Sequence, residues 1–219
     1  MLVLQFCVVT VHRSLDIARG RVKRLNLSNV KFILGNIQNF NESFDVGLSL
    51  HACGVATDIA IQKSVEARAV YISIPCCVGK IAHHESDRDE RSCGDITYPR
   101  SQEYSSVGCS LSKYLVIAKA ADFGHHGFDD ATQGCDAKCD CSEEVKSKGD
   151  ILTDTRRLAK RVIEQDRNFY ARRHNYRTFM TLCYPVSCTP KNDIIIGIPD
   201  DKQRDVDSFE RWTRDSITS

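Results

Sequence analysis

Short apolar runs and helical periods take turns along this chain, and that alternation constrains its fold more than any other feature. Residues 2–11 are nearly all apolar or β-branched, as a strand covered on both faces requires. Ser14 is placed to cap a helix bearing Leu15, Ala18, Val22 and Leu25 at three- and four-residue spacing, which the Asn26–Asn29 region ends. Val30–Leu34 reads as a strand followed by Gly35, and Phe44–Leu50 as another after a polar loop. Thr57–Ala67 has a helical period, and Ala69–Ile74 is a strand stopped by Pro75. Strand–helix–strand alternation with short connections means a parallel sheet covered by helices.

Past Pro75 the rhythm is interrupted twice. Residues 79–103 are dense in charge and read as an exposed polar insertion, and residues 123–150, rich in Gly, Asp and Cys, as a second one. Between them Leu111–Ala121 is helical, with Leu111, Leu115, Ala118 and Ala121 on one stripe. Leu152–Asn175 reads as a long amphipathic helix whose apolar face carries Leu158, Val162, Ile163, Phe169 and Tyr170. Thr178–Tyr184 and Asp193–Ile198 are strands that can pair antiparallel across a turn at Pro190-Lys191-Asn192. The expected architecture is α/β: a Rossmann-like sheet of six strands with a terminal antiparallel hairpin. One domain spans 1–199, and 200–219 is a frayed tail.

Composition narrows the class further. Of 219 residues 42% are apolar and 27% charged, with a net charge of +1, which suits a folded globular chain and excludes a disordered one or a basic nucleic-acid-binding tail. No apolar run approaches the ~20 residues that span a bilayer. The opening MLVLQFCVVTV lacks the basic start and small-residue cleavage site of a secretory signal, so the expected location is cytoplasmic. The 11 cysteines then read as reduced thiols rather than as a disulfide framework.

In open α/β sheets, ligands bind beyond the carboxyl ends of the strands. Four such ends carry chemistry here: Val11-His12-Arg13, Gly35-Asn36-Ile37, Leu50-His51-Ala52-Cys53-Gly54 and Pro75-Cys76-Cys77. Their strands are neighbours in this topology, so His51, Cys53, Cys76 and Cys77 are expected to cluster. Neither C-C nor H-x-C has the spacing of a zinc knuckle, so no metal is expected there. A strand end or helix N-terminus could activate one thiol, while at least two of the four residues read as buried and inert. Thr57 and Asp58 read as caps of the helix they open. Cys135, Cys139 and Cys141, downstream of His125 and His126, match no strong metal spacing. The basic groups Arg19-Arg21-Lys23-Arg24 and Arg156-Arg157-Lys160-Arg161 read as solvated helix faces, with phosphate contact as the lesser reading.

The segment FDVGLSLHACGVATDIAI, with SIPCCVGKI about twenty residues later, resembles the class I S-adenosylmethionine-dependent methyltransferases. Within them it is most similar to the methyltransferase-like C-terminal domain of the glutathione S-transferase C-terminal domain-containing family. SLDIARGRVKRLNLSNVKFILGNIQNF and the late SCTPKNDIIIGIP are similar to that family in matching order. A related HxCGxATD-plus-PCC pattern occurs in tRNA ribose methyltransferases, which makes RNA a minority candidate for the unidentified substrate. The resemblance implies that Asn36, Ile37, His51 and Ala52 contact the cofactor and that His51, Cys53 and Cys76 form the catalytic wall.

Two departures from that family bear on function. No G-x-G occurs in the chain, and no acid ends the opening strand, where Val9, Thr10 and His12 stand instead. The expectation is a domain lacking its first strand and Gly-rich loop, which leaves a gap in the sheet or brings residues 3–11 beside residues 44–50. Alone, such a chain should be marginally stable and should neither bind S-adenosylmethionine measurably nor transfer a methyl group. The alternative reading is a non-catalytic interaction domain that keeps the fold and has lost the cofactor. No D/N-P-P-Y tetrad is present, which argues against amino-group methylation of bases by that route.

Overall fold

The computed structural model describes residues 5–82, 96–122, 148–185, 189, 191–202, 206–208 and 211. In chain order the strands are β1 (Gln5–Val9), β2 (Val30–Leu34), β3 (Val46–Leu50), β4 (Val70–Ile74), β5 (Tyr176–Leu182) and β6 (Asp193–Pro199). The helices are α1 (His12–Arg24), α2 (Val55–Glu66), α3 (Gln102–Ser106), α4 (Leu111–Ala120) and α5 (Lys148–Arg172), with a 3-10 turn at Ile37–Asn39. No described helix is long and apolar enough to cross a membrane.

The six strands form two sheets rather than one. β1 pairs parallel with β2, and a second sheet runs β3-β4-β6-β5. Within it β3 and β4 are parallel, and β6 runs antiparallel to both β4 and β5. The terminal hairpin is thus present as expected, in a register from Tyr176 opposite Pro199 to Leu182 opposite Asp193. Of the two arrangements expected around β1, the structure has the gap: among the described residues no ladder joins β1 to β3.

That gap changes what is buried. Residues 2–11 read as a strand covered on both faces, yet the described part of β1 is only half-buried or exposed. Along β3, an edge strand of its sheet, Val46, Leu48 and Leu50 alternate onto one face and are 51%, 75% and 66% exposed. The other face packs on α2, where a Cβ at Gly47 would lie 2.3 Å from the Ser64 hydroxyl.

Several boundaries also shift. α1 begins at His12 with Val11 as its cap, so Ser14 lies inside the first turn and caps nothing. α2 begins at Val55 after Gly54, so Thr57 and Asp58 are turn residues and not its caps. On α4 the buried positions are Tyr114 and Ala118, while Leu111 is 40% exposed. The polar segment 79–103 contributes core at both ends through Ile81, Ile96 and Tyr98; residues 83–95 and 123–147 lie outside the described set. Val206, in the expected tail, is fully buried against Ile196 and Ile198.

The long helix departs furthest from its reading. Leu158 is 63% exposed. Ile163 is buried as read, and the same face carries Lys160, Glu164, Arg167, Asn168 and Ala171, spaced three and four apart. Lys160, read in the sequence as part of a solvated basic face, is fully buried between Glu164 and Asp193. Asp166 accepts from the backbone N–H of Arg100 at 2.7 Å and of Ser101 at 2.9 Å, tying the start of α3 to α5. Asn168 accepts from the Tyr71 hydroxyl at 3.1 Å. A helix with charge on its buried side must place each charge opposite a partner, and so it fixes the segments around it.

One consequence is a pH dependence. Burial raises Glu164 to about 7 from its ordinary 4.5, against the pull of Lys160 and with Asp193 adding to the rise. The folded chain therefore holds a proton that the unfolded chain has released, and stability falls as pH rises from about 4.5 through about 7. We expect a loss of about 3 kcal/mol over that window, read from urea unfolding, and a flattened profile in Glu164→Gln. An equal slope in both proteins would overturn the assignment.

Candidate functional site

The loop leaving β3 and the loop leaving β4 are joined as one unit. His51 extends the ladder by one step, its N–H donating to the Ile74 carbonyl at 3.2 Å. It sits at φ +56, a left-handed turn that swings the chain off the strand and leaves the residue exposed. The Ala52 carbonyl accepts the Thr57 hydroxyl. Gly54 donates its N–H to the Cys77 carbonyl at 2.9 Å. Its own φ is also +56, and an added Cβ would lie 2.9 Å from the Lys80 Cβ. Only glycine allows both that turn and that approach.

This junction brings together the thiols that the sequence placed at the two strand ends. The Cys53 and Cys76 Sγ atoms are 3.2 Å apart. With Cys77 added, all three sulfurs lie within 4.8 Å of one another. Cys76 and Cys77 are buried and Cys53 is half-buried. Lys191 Nζ lies 4.0 Å from the Cys77 Sγ and 3.5 Å from Asp122. Burial opposes ionisation of Cys53, but hydrogen bonds from Cys76 and Cys77 and the charge of Lys80 outweigh it, so its thiol lies below the ordinary value of 9.0. Cys76 is pushed up to about 12, by burial first and then by donating to its neighbours. The trio thus makes Cys53 the more acidic thiol, with Cys76 and Cys77 as its donors. His51 shares this loop, while its side chain stands in solvent.

Asn36 and Ile37 occupy the end of β2. Asn36 is exposed, its carbonyl accepts from the Asn39 N–H at 3.0 Å, and its side chain makes no capping hydrogen bond. Ile37 packs with Val55 against the cluster of Ile59, Val78 and Ile81. That packing ties the β2 end to the first turn of α2, and hence to the His51–Gly54 loop. At the end of β1, His12 and Arg13 open α1, whose first turn carries no acid.

Beneath the loops lies a network the sequence reading missed. Asp58 is fully buried, and Arg167 of α5 grips both its oxygens at 2.9 Å. The same guanidinium donates to the Gly54 carbonyl at 3.1 Å. The Tyr98 hydroxyl adds a third hydrogen bond to Asp58 at 2.9 Å, and Arg100 approaches to 3.8 Å. The only signal in the sequence was an acid in the first turn of a helix and a lone Arg at a core position of a distant one.

The chain is 32% identical over 198 residues to the glutathione S-transferase C-terminal domain-containing protein homolog of Drosophila pseudoobscura pseudoobscura, covering 89% of this chain and 29% of that protein. It is 29% identical to the mouse glutathione S-transferase C-terminal domain-containing protein, over 90% of this chain and 27% of the relative. Against the human one the identity is 26%, with the same two shares of 90% and 27%. The chain therefore spans less than a third of the length of these relatives. No solved structure gives a significant match. The strand ends bearing Asn36, His51, Cys53, Cys76 and Cys77 all fall within residues 5–84, which match the family model of a methyltransferase domain, and the chain as a whole is similar to part of the glutathione S-transferase C-terminal domain-containing proteins.

Proposed function

We propose that this chain forms the acceptor-facing wall of an S-adenosylmethionine-dependent methyltransferase domain, with an acceptor still to be identified. The observation that carries the reading is the joined pair of loops after β3 and β4, which sets His51, Cys53 and Cys76 at the carboxyl ends of neighbouring parallel strands. The adenine end of the cofactor fits what is present: an uncapped Asn36 amide offers both a donor and an acceptor, and the Ile37 backbone follows it. The ribose and methionine end does not, since no carboxylate follows β1 and no G-x-G is present. When bound, the cofactor supplies a sulfonium methyl for in-line displacement. The work left to this chain is positioning and exclusion of water, with His51 and the Cys53 thiol, held below its ordinary value, at the wall. Those same two absences favour the second reading, an interaction domain without cofactor.

Saturation-transfer NMR separates the two readings, because it detects weak ligands. With S-adenosylmethionine or S-adenosylhomocysteine in excess, adenine protons should receive magnetisation from the 219-residue chain, and Asn36→Ala should abolish it. No transfer to either ligand would overturn the reading that this chain contacts the cofactor's adenine.

A further inference from the structure

The spacing of each cysteine motif, taken alone, argued against a metal. The fold alters that argument, because the ligands come from two loops of neighbouring parallel strands. Tetrahedral Zn²⁺ with Zn–S bonds of about 2.3 Å places its sulfurs about 3.8 Å apart. The three sulfurs here lie within 4.8 Å of one another, with the closest pair at 3.2 Å, so small side-chain rotations bring all three onto such an ion. Three thiolates around a divalent ion leave one negative charge, and the Lys191 ammonium, which also pairs with Asp122 at 3.5 Å, lies 4.0 Å from the Cys77 sulfur. The loops that carry the sulfurs are pre-set by the Gly54–Cys77 backbone bond and by Arg167 on the Gly54 carbonyl. Among the described residues the metal-binding group is these three sulfurs.

We propose that Cys53, Cys76 and Cys77 supply three thiolates to a site for Zn²⁺ or another soft divalent ion. The proposal does not depend on methyl transfer, and its test reads metal alone. Reduced 219-residue chain is titrated with Cd²⁺, and thiolate-to-cadmium absorption in the ultraviolet is followed, in a C135S/C139S/C141S background that removes the other cysteine-rich segment. One equivalent should bind with the intensity of three thiolates. C53S, C76S and C77S should each lose about a third of that intensity and weaken binding by at least roughly tenfold, while C7S and C109S should change neither. On the unsubstituted chain, which avoids any folding defect of the variants, Zn²⁺ should protect Cys53, Cys76 and Cys77 from alkylation while Cys7 and Cys109 react as before. Equal alkylation of the trio with and without Zn²⁺ would overturn the proposal. So would a Cys53–Cys76 disulfide that persists in a reduced glutathione buffer.

Discussion

Arg167→Met should lower the unfolding free energy by about 3–5 kcal/mol, the cost of stripping a buried ion of its partner. The arginine is 1% exposed and the carboxylate it grips is 1% exposed, so neither can turn to water when the other is removed. Methionine keeps much of the side-chain volume, so the loss reads the charge and not a cavity. Arg100 at 3.8 Å and the Tyr98 hydroxyl compensate Asp58 only in part, since Arg100 is not in direct hydrogen-bond geometry with it. Adding Asp58→Asn to Arg167→Met removes the orphaned charge, and the double variant should recover at least half of the lost stability. For a chain of this length the single variant should melt on the order of 10 °C lower, measured by circular dichroism. The Gly54 carbonyl also loses its guanidinium donor, so Cys53 should alkylate faster in the same variant. A loss below about 1 kcal/mol would show that the pair is only incidental to the fold.

That network also marks the line between what the sequence shows and what it hides. The order of elements was legible because the strands are short and largely apolar, two of them stopped at Leu34-Gly35 and Ile74-Pro75. The gathering of Cys53, Cys76 and Cys77 was legible too, since consecutive parallel strands present their carboxyl ends on one edge. The buried face of α5 was not. An amphipathic reading sorts residues by polarity, and it put Leu158 inside and Lys160 outside; the structure does the reverse. Lys160 and Arg167 are tolerated inside because Asp193 and Asp58, 33 and 109 residues away from them, meet them there. No local window contains both halves of such a pair. The spacing argument about a metal has a related limit. Ligand spacing within one motif is informative for knuckles built on a single turn, but it says nothing of sulfurs supplied by two loops joined through Gly54.

Calorimetry of the 219-residue chain with S-adenosylmethionine should show no heat at micromolar concentrations, and an NMR titration should place half-saturation in the millimolar range or above. The cofactor's adenine can find Asn36 and the backbone of Ile37 at the end of β2. Its ribose hydroxyls find no carboxylate, since Thr10, Val11 and His12 follow β1 and the first turn of α1 carries no acid. Its methionine portion finds no Gly-rich loop of backbone amides, because the chain holds no G-x-G. Each absent hydrogen bond is worth about 1 kcal/mol, and more where the partner is charged. Several of them together, with the ribose carboxylate, amount to roughly two to four decades of affinity at ~1.4 kcal/mol per tenfold. The gap between β1 and β3 acts in the same direction, because a ligand spanning both sheets must also hold them in register. Micromolar affinity in the isolated chain would refute this and point to His12 and Arg13, at the end of β1, as a substitute anchor for the carboxylate of the methionine moiety; His12→Ala and Arg13→Ala would then have to abolish it.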